Sequence, residues 1–118
     1  MFCSAWLAGV TTVQVGRVGA RVAGSYFLRP AFPGAAAHIA NAGYLVAEDL
    51  RGRGFGRALA EHSLDEARRR GFDAMLFTLV LERNPSRRLW SSLGFAEVGR
   101  IPDAVDGEAA YVYWRSLV

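Results

Sequence analysis

Three glycines at alternating positions, Gly52, Gly54 and Gly56, are the residues of this 118-residue chain whose type and spacing speak most directly to chemistry. With no Cβ at any of the three, successive backbone N–H groups can approach an anion, and a helix opening there adds the positive end of its dipole. That is a phosphate cradle. Two familiar motifs fail on spacing: no glycine stands three residues beyond Gly54 or Gly56 to complete G-x-G-x-x-G, and no Gly-Lys-Ser/Thr follows. A glycine-rich turn made for tight helix packing would use the same residues, so the cluster by itself leaves both readings open. Further along, Asn84-Pro85 is a helix start, because Asn caps free N–H groups and Pro in the first turn loses no hydrogen bond.

The remaining chemistry is bounded by what is scarce. A single cysteine, Cys3, forms no internal disulfide and has no partners at metal-ligand spacing, so no metal site is expected and a reducing compartment is the simplest fit. The net charge is +3, and all 14 basic residues are arginine, whose planar fork suits phosphate and carboxylate. An anionic partner follows from that reading, and a solvated arginine surface from the blander one. With 52% hydrophobic and 21% charged residues, the chain is globular, and its length fits one domain, residues 1–118, with a real core. The uncharged stretch 1–16 has no preceding Lys or Arg and runs into a β-type sequence, and the uncharged stretch 30–47 holds two prolines, a histidine and an asparagine. A cytoplasmic protein without membrane spans is expected.

The elements that must position these residues follow from periodicity. Residues 11–15 and 21–28 are β-rich runs joined as a hairpin through residues 16–20, and residues 38–46 predict a third strand with His38, Ala40, Ala42, Tyr44 and Val46 on one face. A helix opens in residues 51–57 and runs to about Arg70, with Phe55, Leu59, Ser63 and Ala67 as its inward stripe, widened by Leu64, and Gly71 as its stop. Asp65 and Glu66 precede Arg69 and Arg70 by four residues, and His62 falls near the packed face. Residues 73–80 predict a central strand covered on both faces, followed by a short helix with Leu89, Trp90 and Leu93 inward and Gly94 as its C′ residue. Strands at 95–101 and 110–117 flank a loop at 102–108. The strand–helix–strand unit makes its two strands parallel, placing the glycine cluster beside a strand's C-terminal end, where ligands bind.

Taken together, residues 43–59 (Gly-Tyr-Leu-Val-Ala-Glu-Asp-Leu-Arg-Gly-Arg-Gly-Phe-Gly-Arg-Ala-Leu) and 84–95 (Asn-Pro-Ser-Arg-Arg-Leu-Trp-Ser-Ser-Leu-Gly-Phe) resemble the two signatures of the GNAT superfamily of acetyl-CoA-dependent N-acetyltransferases. Arg51, Gly54 and Gly56 fit its Arg/Gln-x-x-Gly-x-Gly/Ala loop. The resemblance covers roughly residues 17–117. It implies a mixed α/β fold: a mostly antiparallel mixed sheet with a central, splayed parallel strand pair and two flanking helices. It also implies acetyl-CoA as co-substrate and an amine, of a small molecule or peptide, as acceptor. The pantetheine arm would pair with the open strand edge at Leu45 and Val46. The diphosphate would sit on the amides of Arg51, Gly52, Arg53, Gly54, Phe55, Gly56 and Arg57, with arginine side chains as secondary contacts. Asn84 would bond the pantetheine arm or acetyl end as well as capping its helix, and Trp90 would be a packing wall for cofactor or core.

Direct attack of a neutral amine on a thioester needs a route for the amine's proton and a donor for the leaving thiolate. The sequence departs from the family pattern at both places. Trp90 stands where many relatives carry a tyrosine acid, and Ala40 falls near the strand position at which some carry a glutamate base. His38, Asn41 and Tyr44 are the catalytic candidates, with Tyr111 and Tyr113 behind them; His38 as a solvent-facing strand residue, Asn41 as a substrate contact and the tyrosines as packing remain alternatives. Relatives begin with a strand and one or two helices that wall the acceptor site, and here about ten residues precede the first strand, so a shortened or truncated form is expected. Acceptor binding is then incomplete, or a second subunit of a homodimer supplies the missing wall, with residues 1–9 (Phe2, Trp6 and Leu7 among them) as an apolar contact surface. A non-catalytic CoA-binding or regulatory module is the alternative function. Nucleic-acid binding has only the charge in its favour, with no reading helix or aromatic RNA motif.

Overall fold

A computed structural model describes residues 10–118; the segment 1–9, expected to form a contact surface, lies outside the described residues. Six strands and two α-helices follow one another as β1 (Thr12–Val18), β2 (Arg21–Pro30), β3 (Ile39–Val46), α1 (Phe55–Arg69), β4 (Ala74–Leu81), α2 (Ser86–Ser92), β5 (Ala96–Val105) and β6 (Glu108–Ser116). They form one mixed sheet in the order β1-β2-β3-β4-β6-β5, antiparallel everywhere except between β3 and β4. The parallel pair is the one joined through α1, as a strand–helix–strand unit requires.

Both helices pack on one face of this sheet. Leu59, Ala60, Ser63, Leu64 and Ala67 of α1 are buried against Tyr26 and Leu28 of β2, Ala40 of β3 and Met75 of β4, and Trp90 of α2 joins Phe77, Phe95 and Tyr113 in the same cluster. Each helix ends in the same way. Gly71 and Gly94 adopt φ of 86° and 87°, letting Phe72 N–H reach Ala67 O and Phe95 N–H reach Trp90 O, both at 3.0–3.1 Å. In both, the residue after the glycine is a buried phenylalanine, so the turn that stops the helix also anchors it in the core.

Several local expectations shift. The first hairpin turns at Gly19 rather than across 16–20, so β1 runs on to Val18 past a bulge at Gly16/Arg17. The expected loop at 102–108 is mostly strand: β5 continues to Val105 and turns at Asp106-Gly107, both with positive φ. On α1, Asp65 pairs with Arg68 rather than Arg69, while Glu66 takes both Arg69 and Arg70. His62 is exposed but stays beside the packed face, its Nδ1 2.6 Å from the buried Tyr26 hydroxyl and its ring centroid 5.7 Å from that of Tyr26. Burial pushes that hydroxyl's pKa up to about 12, so it stays protonated at neutral pH.

Candidate active site

The parallel pair comes apart almost as soon as it forms. β3 and β4 are in register only at Ile39–Ala74 and Ala40–Met75. At the next position the Asn41 side chain takes over, its Nδ2 donating to Leu76 O at 3.0 Å. From there no ladder joins the strands, while β3 stays paired with β2 as far as Val46 and β4 with β6. β4 also carries a bulge against β6 between Phe77 and Val80, which leaves Thr78 and Leu79 exposed. The expectation of a strand covered on both faces therefore holds for the first half of β4 and fails for the second.

Between the diverging halves lies a cleft of about 650 Å³. Residues 41–46 form one side and residues 77–80 the other, with Arg51, Gly52 and Gly56 at one mouth and Asn84, Pro85, Ser86, Leu89 and Trp90 of the α2 region as a further wall. Consecutive residues of β3 line it, so side chains of both sheet faces contribute and the gap passes through the sheet.

The glycine loop is held open at this mouth. A turn at Glu48–Leu50 buries Leu50, and Asp49 ties it back to β2 through a 2.8 Å bond from Arg21. Gly52 and Gly54 then adopt φ of 79° and 85°, the left-handed region that side chains disfavour. A Cβ built on Gly52, Gly54 or Gly56 meets nothing within 4 Å, so tight helix packing does not explain any of the three. Gly56 lies in α1 without a positive φ, leaving access to the cleft as what its bare backbone provides. Among the described residues, the N–H groups of 52–57 have no hydrogen-bond partner, whereas Arg51 N–H bonds Glu48 O. Six amides without partners thus stand at the opening of a 15-residue helix, where N–H groups and the helix dipole favour an anion.

Of the residues singled out from sequence, Asn41, Tyr44, Leu45, Val46, Arg51, Gly52, Gly56, Asn84 and Trp90 line the cleft. Arg53 and Gly54 sit on the exposed loop beside it, and Phe55 instead lines a separate 320 Å³ hollow between β1–β2 and α1. The Arg57 guanidinium donates to Ser92 Oγ at 2.6 Å, bracing α1 against α2. His38 precedes β3 in a turn rather than lying on the strand; it is exposed, bonds Ala35 O at 3.0 Å and stands at the closed end of the strand pair. Tyr113 is buried and accepts from Arg87 Nε, and Tyr111 lies beneath the Arg87 guanidinium; neither lines the cleft. Thr78, Leu79 and Val80 escaped sequence reasoning, because a near-continuous apolar run carries no mark of the bulge that exposes two of them.

Tyr44 faces the helices within an aromatic cluster, its ring centroid 5.3 Å from that of Trp90 and 5.9 Å from that of Tyr26. Its hydroxyl lies 2.6 Å from Ser63 Oγ, whose own proton goes to Ala60 O at 2.6 Å, so Tyr44 is the donor of the pair. Burial holds its ionisation well above the usual tyrosine range. Asn84 caps α2, its Oδ1 accepting from Ser86 N–H at 2.8 Å, and this leaves its NH₂ for a ligand. Among the described residues, Arg51 is the one charged residue lining the cleft.

A splayed parallel pair with a glycine loop at its mouth is the architecture that the resemblance to the GNAT superfamily implies. The model of the acetyltransferase (GNAT) family matches residues 3–95, and the chain belongs to that family, which uses acetyl-CoA. It is 41% identical over 92 residues to N-acetyltransferase aca1 of Schizosaccharomyces pombe, a match covering 75% of this chain and 44% of that protein. The chain thus spans less than half the length of that curated relative. Among solved structures, it resembles a GCN5-related N-acetyltransferase from Kribbella flavida with a TM-score of 0.77 and 40% identity, covering 80% of this chain and 60% of the other. It also resembles yncA of Salmonella typhimurium, solved with its cofactor acetyl-CoA, with a TM-score of 0.83 and 25% identity over 98% of this chain and 69% of the other. Among the described residues no helix is long and apolar enough to cross a membrane.

Proposed function

We propose that this chain transfers an acetyl group from acetyl-CoA to a primary amine of a small molecule or peptide by direct attack. The observation that carries the reading is the through-sheet gap with unpartnered amides at its mouth. The amides of residues 52–57 hold the diphosphate, with Arg51 beside them. The open β3 edge at Leu45 and Val46 offers backbone groups to the pantetheine amides, Asn84 supplies a side-chain donor, and Trp90 walls the channel. Bound acetyl-CoA supplies a thioester carbonyl open to a nucleophile; the chain orients it and lets the amine approach from the helix-free face. Asn41, whose NH₂ is spent on Leu76 O, keeps Oδ1 to accept from an amine N–H and so to aim the lone pair.

Among the described residues no carboxylate or histidine lines the cleft. The amine's proton therefore leaves through water, the CoA thiolate released as the C–S bond breaks is protonated from water in turn, and kcat/KM should rise with pH until the acceptor's own pKa is reached, near 10.4 for an alkylamine of the lysine type. A profile that levels off near pH 7 with such an acceptor would reveal a protein base and overturn this assignment. The missing base also supports the second reading, a CoA-binding module without turnover. Thiol release from acetyl-CoA across a panel of amines separates the two: both readings expect binding, and release confirms transfer.

A further inference from the structure

We infer that Arg87 is a positioning residue for the cofactor: one guanidinium that fixes helix α2, and with it one wall of the cleft, to strands β5 and β6 and to the turn after β4. The inference rests on reading the cleft as the acetyl-CoA site. α2 has only seven residues, too short to persist by its own hydrogen bonds, so its place is set by what its side chains grip. At its C-terminal end, Trp90 and the turn into Phe95 lock it into the core. The N-terminal end, which presents Asn84 and Ser86 to the cleft, has no such anchor in the apolar cluster.

Arg87 supplies it. Its Nε donates to the hydroxyl of Tyr113 on β6 at 3.0 Å, Nη1 to Glu82 O just beyond β4 at 3.2 Å, and Nη2 to Glu97 on β5 at 3.2 Å. Its Cζ stands 3.9 Å from the centroid of the Tyr111 ring. The bond to Glu82 O ties α2 to the turn that follows β4, the segment that carries Asn84. Tyr113 is 2% exposed, which makes the opposite end of the clamp part of the core. Lysine keeps the charge but lacks both the planar fork and the stacking face, so it cannot hold four partners at once. Arg88, next in sequence, is exposed and has no ion pair among the described residues.

The test compares R87K and R87M with R88M by equilibrium binding of CoA, steady-state kinetics, and amide hydrogen exchange of residues 86–92 without ligand. Expected are a rise of about tenfold in the CoA Kd and acetyl-CoA KM for both Arg87 variants, kcat at saturation within twofold, and faster exchange in α2. R88M should match the unmodified chain throughout. Unchanged Kd and unchanged exchange in R87K would overturn the clamp, as would a fall in kcat at unchanged Kd. Should R87M fail to fold, R87K carries the comparison. If the unmodified chain binds no CoA, the reading of the cleft fails by itself, and exchange in α2 still decides the clamp: faster in R87K supports it, unchanged refutes it.

Discussion

At the scale of single residues, Gly54 and Gly56 separate two uses of glycine that look alike in sequence. Gly54 is required by its backbone, and Gly54→Val should cost about 1–2 kcal/mol through left-handed strain. Gly56 has no positive φ and open space around it. Gly56→Leu should leave the melting temperature unchanged or raised, since leucine favours a helix over glycine by up to about 1 kcal/mol, while acetyl-CoA ceases to raise it. A retained ligand-induced shift in that variant would remove Gly56 from the diphosphate site. Tyr44 gives a contrasting case. Because its proton is committed to Ser63, Tyr44→Phe should cost about 1 kcal/mol of stability and leave kcat within twofold and the pH–rate profile from 6 to 9 unaltered; a hundredfold loss of kcat would restore it as an acid.

Among elements, the β3–β4 pair and the end of α1 make claims of their own. Asn41 stands where the ladder stops, so Asn41→Leu leaves Leu76 O without its partner and should cost about 1–3 kcal/mol, measured by urea unfolding, together with a loss of kcat. Unchanged stability and kcat would show that the fork forms without it. On α1, Arg70 and then Arg69 hold the Glu66 carboxylate below the usual range. A depressed folded-state pKa stabilises above the unfolded value and is lost as pH falls through the folded one. Glu66→Gln should therefore melt lower than the unmodified chain at pH 7, with the difference closing as the pH drops below 4. The six strands, both helices and the parallel pair were legible from alternation, caps and glycine stops. The bulge at Thr78–Leu79 and the strand character of residues 102–105 were not, because register is set by the neighbouring strand rather than by the run itself.

Across the whole molecule, both helices occupy one face while Val13, Val15, Leu45, Val98 and Trp114 stay exposed. The gap connects the two sides, so in the proposed reaction co-substrate and acceptor would arrive from opposite faces. Binding to the folded state alone should make stability depend on ligand concentration: at a hundredfold excess over Kd, acetyl-CoA adds about 2.7 kcal/mol, on the order of 10 °C in Tm for a chain of this size. Flat melting across that range would rule the cofactor out.

The order of elements and the place of the glycine loop were already legible in the chain, because caps, glycines and hydrophobic periods act over a few residues. The sequence also marked Leu45, Val46, Asn84 and Trp90, which the fold brings to one cleft. That Tyr44 gives its proton to Ser63, that His38 stands at the closed end of the strand pair, and that Arg57 and Arg87 brace helices emerges first in the folded chain. Those outcomes depend on which side chains from distant segments meet. The spacing of β3 and β4 is fixed by partners on either side of them, and local patterning does not encode that distance.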